Sequence, residues 1–122
     1  MKYLCLVYYR ESDVNAMSQN DWDALNGECM AFGESIVESG HRLGGEALEP
    51  TSTATTVRVR GGKVAVTDGP FAETKEQLAG FYAIEAKDLN EAIQVASRIP
   101  PAQFGSIEVR PVRQLATRGN SR

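Results

Sequence analysis

Hydrophobic positions along the chain follow two different repeats, which divide it into predicted strands and helices. The segment KYLCLVYY, residues 2–9, is apolar at both odd and even positions, a pattern typical of a strand covered on both faces. From Ser18 onward the apolar residues recur every three or four positions and form one stripe along a predicted helix. The stripe consists of Trp22, Leu25, Cys29, Phe32 and Ile36. Ser18 and Asp21 suit the start of this helix, and Gly40 suits its end.

The clearest local pattern is TTVRVR and KVAVTD, two alternating segments joined by the glycine pair at 61–62. This pattern predicts a β-hairpin with a two-residue turn. The resulting register places all four valines on one face: Val57, Val59, Val64 and Val66. The opposite face is cationic and carries Arg58, Arg60 and Lys63. Because like charges repel, we expect that face to lie in solvent or against an acidic surface.

The remaining segments complete an α+β order. HRLGGEALE, residues 41–49, and LAGFYAIEA, residues 78–86, read as strands, and SIEVRPV, residues 106–112, as the final strand. Asp88 and Glu91 predict a capping box that opens a second helix, which Pro100 and Pro101 stop. The apolar positions assigned to this helix are Leu89, Ala92, Ile93, Ala96 and Ile99.

Two helices are too few to cover both faces of such a sheet, so we expect them on one face. The predicted fold is a ferredoxin-like α+β sandwich with an antiparallel sheet and an inserted β-hairpin. Its other face is left apolar by the first strand, by the hairpin valines and by Phe81 or Tyr82, a larger patch than monomers usually expose. We therefore predict a homodimer formed through the sheet, a dimeric α+β barrel.

Length and charge narrow the functional classes. With 122 residues, 42% of them hydrophobic, the chain suits one domain over residues 1–115, with a frayed tail at 116–122. A net charge of -3 argues against nucleic-acid binding, and no apolar run is long enough to span a membrane, so we expect a cytoplasmic protein. Cys5 and Cys29 lack a C-x-x-C or Cys/His pattern and predict structural thiols. We expect neither a metal nor a cofactor.

His41 and Asp68 are the residues best suited to acid/base chemistry. His41 is the only histidine and the only side chain that normally titrates near neutral pH. Asp68 shares the strand parity of Val64 and Val66, which directs its carboxylate toward the apolar side. A desolvated carboxylate beside an imidazole shifts both pKa values as proton transfer requires. Structural alternatives stay open: His41 as a cation at a helix C-terminus, and Asp68 as a turn residue before Gly69.

The loop after Asp68 supplies weaker candidates. Phe71 forms an aromatic corner beside Glu73 and Lys75, and these three residues suit the mouth of a substrate pocket. Charged loop residues are more often solvated surface. Tyr82 offers a hydroxyl to a ligand, although tyrosines in sheets usually serve packing.

The segment TDGPFAETKEQLAGFYAIEA, preceded by SGHRLGGEALEPTSTATTVRVRGGKVAV, resembles the DGPF-domain branch of the YCII-related proteins. The likeness runs from Lys2 to about Val112. It implies a dimeric α+β barrel and a His-Asp active site, which by position corresponds to His41 of SGH and Asp68 of DGPF, with Glu73 and Lys75 as weaker neighbours. DGPF proteins are also associated with extracytoplasmic-function sigma factors, which implies a regulatory role.

Two functions follow from these residues. The first is a cofactor-independent enzyme of isomerase, lyase or hydrolase type, in which His41 and Asp68 act on a small, partly apolar substrate. The second is a ligand-binding or regulatory protein, whose acidic surface docks onto a basic partner such as a sigma factor. A third reading assigns the His-Asp pair to dimer stability.

Overall fold

Six β-strands form two antiparallel sheets in the computed structural model, which describes residues 1–115. The main sheet has the order β2-β5-β1-β6. Its strands are β1 (Lys2–Tyr9), β2 (Arg42–Ala47), β5 (Gln77–Glu85) and β6 (Ser106–Pro111). The second sheet is the hairpin of β3 (Thr55–Arg60) and β4 (Lys63–Asp68). The predicted tail at 116–122 lies outside the described residues.

Residues 1–115 contain three α-helices and two short 3₁₀ turns. The helices are α1 (Glu11–Asn15), α2 (Gln19–Glu38) and α3 (Leu89–Ala96), and the turns span Thr51–Thr53 and Pro100–Gln103. The hydroxyl of Ser18 accepts the backbone N–H of Asp21 at 3.1 Å, so the predicted start of α2 is confirmed. The five-residue α1 has no counterpart in the hydrophobic pattern, because none of its residues is buried.

The core lies between one face of the main sheet and the two longer helices. Tyr3, Cys5 and Val7 of β1 are buried, and the residues between them are not. The residues that α2 and α3 bury against this face are Phe32, Ile36, Ala92, Val95 and Ala96. The helices therefore share one face of an antiparallel sheet, and the predicted ferredoxin-like α+β class is confirmed.

Only the C-terminal half of the hydrophobic stripe of α2 is buried in this core. Phe32 and Ile36, in the C-terminal half of the helix, are buried. Leu25 and Cys29 are half-buried, and Trp22 is 43% exposed. The stripe predicted the helix correctly, but its N-terminal half borders a cleft instead of packing tightly on the sheet.

The hairpin has the predicted register and stands apart from the core. Val57 pairs with Val66, and Val59 pairs with Val64. The four valines are between 56% and 67% exposed. A two-stranded hairpin is at best marginally stable by itself, so this valine face lacks a cover in the single chain.

Burial of Cys5 predicts a loss of stability at alkaline pH. Cys5 is fully buried, and desolvation raises the pKa of its thiol from 9.0 to about 11. The folded state therefore keeps a proton that the unfolded chain releases, so this contribution is complete below pH 9 and disappears as the pH rises toward 11. We expect the free energy of unfolding, measured in urea, to fall by about 1 kcal/mol between pH 8 and pH 10 from this group.

Cys5→Ala is the variant that isolates the effect, because it removes the buried thiol. At pH 8 the unfolding free energy of Cys5→Ala will be lower than that of the wild type. Between pH 8 and pH 10 it will decline less steeply than the wild-type value. Burial also raises the pKa of Cys29, so Cys29→Ala serves as the comparison at a less buried thiol. If the unfolding free energies of the wild type and Cys5→Ala fell in parallel between pH 8 and pH 10, the Cys5 thiol would not be the cause of the loss.

Candidate functional site

His41 lies where α2 passes into β2, and residues of its own chain surround its ring. Gly40 ends the helix with a φ of 79°, and the His41 N–H donates to the Ile36 carbonyl at 2.9 Å, an arrangement typical of helix ends. Nε2 lies 3.2 Å from Oε1 of Glu91 in α3, and Nδ1 lies 2.7 Å from Oγ of Ser39. Both ring nitrogens therefore have partners within the chain.

Glu91 is held in place by the start of α3. Its backbone N–H donates to the Asp88 side chain at 2.9 Å, and its Oε1 accepts the N–H of Lys87 at 3.1 Å. The predicted capping box is thus present with its return bond one residue earlier, at Lys87 instead of Asp88. The contact between His41 and Glu91 is partly exposed, at 21% and 30% of the side chains, and polar pairs exposed to this extent contribute little net stability.

Asp68 ends β4 of the hairpin, which forms a different sheet from the one that begins just after His41. It pairs with Thr55 at the base of the hairpin. The Glu11 carboxylate, just after β1, accepts both the N–H and the hydroxyl of Thr51 and ties this region to the far end of the sheet. The six residues of β2 span about 20 Å between the two ends. The ring nitrogens of His41 contact Ser39 and Glu91 rather than Asp68, and a His41–Asp68 dyad stays a prediction.

The predicted pocket residues of the loop and of β5 lie in different places. Phe71, Glu73 and Lys75 are exposed, and the Phe71 side chain is 78% exposed. None of the three lines the cleft under α2. Tyr82 does line it, from the helix-covered face of β5.

This cleft has a volume of about 490 Å³. It lies between the N-terminal half of α2 and the strands β1, β2 and β5. Trp22, Leu25 and Cys29 of α2 form one wall, and Tyr9 and Tyr82 of the sheet form the other. The volume falls within the range of small-molecule sites.

Small residues on the sheet leave the space for the cleft. Gly45 and Ala47 of β2 and Gly80 of β5 form its floor. A Cβ on Gly80 would lie 2.7 Å from the Glu46 carbonyl oxygen, and one on Gly45 would lie 2.8 Å from that of Phe81. Close approach of the two strands therefore requires glycine at both positions, and no side chain rises from either to meet α2.

Three acidic groups of the cleft keep their protons at neutral pH. Burial raises the pKa of Tyr9 and of Tyr82, and the neighbouring Cys29 raises both further. Burial, with a smaller effect from Glu28, also raises the pKa of the Cys29 thiol. These groups ordinarily lose a proton only above pH 8, so each one enters the cleft as a neutral donor. A protonated thiol is also a poor nucleophile.

The two tyrosine hydroxyls are free to bind a ligand. Among residues 1–115, the one tyrosine hydroxyl with a protein partner is that of Tyr3, which donates to the sulfur of Met1. No buried side-chain oxygen or nitrogen in this range lacks a partner, so the hydroxyls of Tyr9 and Tyr82 reach accessible space. Hydroxyls of buried tyrosines usually find a partner, and in this cleft a ligand can provide it.

The described residues contain no group of three or more His, Cys, Asp or Glu side chains arranged to hold a metal ion. No helix within them is long and apolar enough to cross a membrane.

The sequence predicted Tyr82 as a ligand-binding residue but not Cys29 or Arg42, which line the same cleft. One sequence feature could have indicated the cleft: a helical stripe that contains a thiol, combined with glycines on the strands that face it. Without the strand register, Gly45 and Gly80 could not be placed opposite that stripe.

The fold and the cleft define a small α+β protein with a ferredoxin-like sheet and a ligand-sized space beneath its longest helix. The chain matches the model of the YCII-related domain over residues 1–116. It is also 43% identical over 115 residues to "Uncharacterized protein R00369" of Rhizobium meliloti (strain 1021), with 92% of each chain covered. The chain belongs to the YCII-related family. Membership of the DGPF branch is a finer assignment and stays a prediction.

Proposed function

We propose that the chain is a cofactor-independent enzyme that binds a small molecule in the cleft beneath α2 and acts on a carbonyl group. The observation that carries this proposal is the convergence of two unpartnered tyrosine hydroxyls and one protonated thiol in a largely apolar space. Neutral donors in such a space stabilise negative charge on a ligand oxygen more strongly than they do in water.

The raised pKa values define what these groups do. Because Tyr82 and Tyr9 hold their protons tightly, they polarise a carbonyl by hydrogen bonding and keep the proton as negative charge develops on its oxygen. The carboxylate of Glu49 lines the cleft and, together with Tyr9, the adjoining cavity, and it is the candidate base for removal of a proton next to a carbonyl held by Tyr9. This division of roles fits isomerisation or elimination of an enolisable substrate.

The test is a thermal-shift screen of small carbonyl compounds followed by Tyr82→Phe. A true ligand raises Tm in the wild type, and we expect its affinity to fall about tenfold when the hydroxyl is removed, because one hydrogen bond from a buried donor is lost. Tyr8→Phe is the matched control, since Tyr8 lies on β1 outside the cleft. Equal affinity in the wild type and Tyr82→Phe would refute a role for the hydroxyl.

We also propose a homodimer in which the uncovered apolar surfaces meet. The valine face of the hairpin is more than half exposed. The face of the main sheet turned away from the helices carries further half-buried apolar residues: Leu4, Leu6, Tyr8, Leu78 and Phe81. Association of two copies would cover both surfaces.

A dimer is also the setting in which His41 and Asp68 could meet. One chain contains one histidine, so its ring protons give a single set of NMR signals. If Asp68 of a second copy approaches the ring, Asp68→Asn will change the titration curve of His41. An unchanged curve would exclude the dyad and leave Glu91 as the residue paired with the ring.

A regulatory role is the second candidate, and the charge of the first two helices favours it. Residues 11–38 contain seven carboxylates and no lysine or arginine. Six of them are exposed: Asp13, Asp21, Asp23, Glu28, Glu34 and Glu38. A surface of one sign favours a basic protein partner, such as a sigma factor. Such binding will weaken steeply with salt, and a pull-down from cell extract at low salt that returns no basic protein would argue against it.

A further inference from the structure

The two ends of the cleft carry different charges. Arg42 of β2 is the only lysine or arginine among the cleft-lining residues of the described chain. It lies close enough to Tyr82 to oppose the effect of burial on the pKa of that hydroxyl. Its guanidinium donates to the Gly45 carbonyl at 3.4 Å, a single long bond that leaves other N–H groups free. A cation and a neutral O–H therefore stand together at one end.

The carboxylates of the lining do not cancel this charge. Gly45 and Ala47 occupy positions of β2 that face the helices. Glu46 lies between them and pairs with Phe81. Strand alternation therefore turns the Glu46 side chain to the opposite face of the sheet. Glu49 follows the far end of β2 and lines the adjoining cavity with Trp22 and Leu48. The cleft is thus positive beside Tyr82 and negative at the opposite end.

The walls between these ends are aromatic and held in place. The Tyr82 ring packs edge-on against Phe32, with ring centroids 5.1 Å apart, and the Tyr9 ring contacts Phe104 at 5.8 Å. Trp22 and Leu25 of α2 lie across from them. Fixed aromatic walls favour a flat ring, since offset and edge-on ring contacts add to the gain from burial.

Taking the proposed function as its basis, we infer that the substrate of the cleft is an aromatic acid, with its carboxylate at Arg42 and Tyr82 and its ring against Trp22. Arg42 and the Tyr82 hydroxyl supply charge-assisted hydrogen bonds to the carboxylate oxygens. The ring displaces water from the apolar wall. A second carboxylate at the ring end would face Glu49 unfavourably, so the acid group is expected at one end only.

The chain contains a single tryptophan, so its fluorescence reports binding in this cleft directly. The probes are 4-phenylbutanoate, its neutral amide, the cation 4-phenylbutylamine and the saturated acid 4-cyclohexylbutanoate, none of which absorbs at 295 nm. We expect the aromatic acid to bind about tenfold more tightly than the amide, and the amine to bind most weakly. The saturated acid should bind several-fold more weakly than the aromatic acid.

Arg42→Gln tests the assignment of the acid end. The variant should bind acid and amide with equal affinity, whereas Arg110→Gln, which removes an exposed cation from β6 outside the cleft, should keep the tenfold preference. Circular dichroism will establish that both variants are folded.

The outcomes separate this inference from the proposed function. Equal or tighter binding of the amide or the amine overturns the acid preference, while sensitivity of that binding to Tyr82→Phe would leave the carbonyl-binding cleft intact. Equal affinity of the two acids overturns the aromatic preference. If none of the four probes changes tryptophan fluorescence at millimolar concentration, the inference is wrong, and the thermal-shift screen alone decides the proposed function.

Discussion

A variant with threonine in place of all four hairpin valines is expected to be monomeric at concentrations where the wild type is dimeric. Val57, Val59, Val64 and Val66 are more than half exposed in one chain, so a dimer that covers them gains their apolar area. Threonine has nearly the same shape and a high strand propensity, so the hairpin will still form. The dissociation constant, measured by analytical ultracentrifugation, should rise at least about a hundredfold.

The control places threonine on the other face of the same hairpin. Arg58 and Ala65 are cross-strand partners on the cationic face, and Arg58→Thr with Ala65→Thr should leave the dissociation constant within about threefold of the wild type. A monomeric wild type would remove the dimer from the proposal. A four-threonine variant that dimerises as tightly as the wild type would place the interface elsewhere.

Replacing Ile36 with alanine is expected to cost about 3 kcal/mol of unfolding free energy. Ile36 is fully buried in α2 beneath the main sheet, and its truncation removes apolar contacts and leaves a cavity. For a domain of this size that loss is a large part of the total stability. Urea unfolding followed by circular dichroism measures it.

Val37 provides the matched control on the same helix. Its side chain is 60% exposed, so Val37→Ala should change the unfolding free energy by no more than about 0.5 kcal/mol. Similar losses for the two variants would show that α2 is not packed through Ile36 as described.

The local features of the fold could be predicted from the sequence because short-range patterns determine them. The hairpin register follows from two alternating segments and a glycine pair, and it is confirmed pair by pair. The start of α2 follows from Ser18 and Asp21 in the same way. The N-cap at Ser18 is followed directly by the amphipathic stripe. Both features therefore predict the same helix, with the same start.

The candidate site could not be predicted in the same way, because it depends on contacts distant in sequence. Glu91 lies 50 residues after His41, and no local pattern joins them. Regular alternation through the predicted strand at 41–49 would direct His41 to the uncovered face, but β2 begins only at Arg42 and is irregular before Gly44. The stripe of α2 predicted that Trp22 and Cys29 belong to the core. In the structure they border a cleft instead, because the residues on the facing strands are small.

The position of β1 in the sheet affects how the chain folds during synthesis. β1 is synthesised well before its two neighbours, β5 and β6, so Tyr3 has no strand partner until Ile84 on one side and Pro111 on the other have been made. At ribosomal speeds, about 100 residues take roughly 5 to 20 seconds to appear. Throughout that interval the nascent chain carries an apolar strand with two open edges. Expression at reduced temperature or with added chaperones should therefore raise the soluble yield.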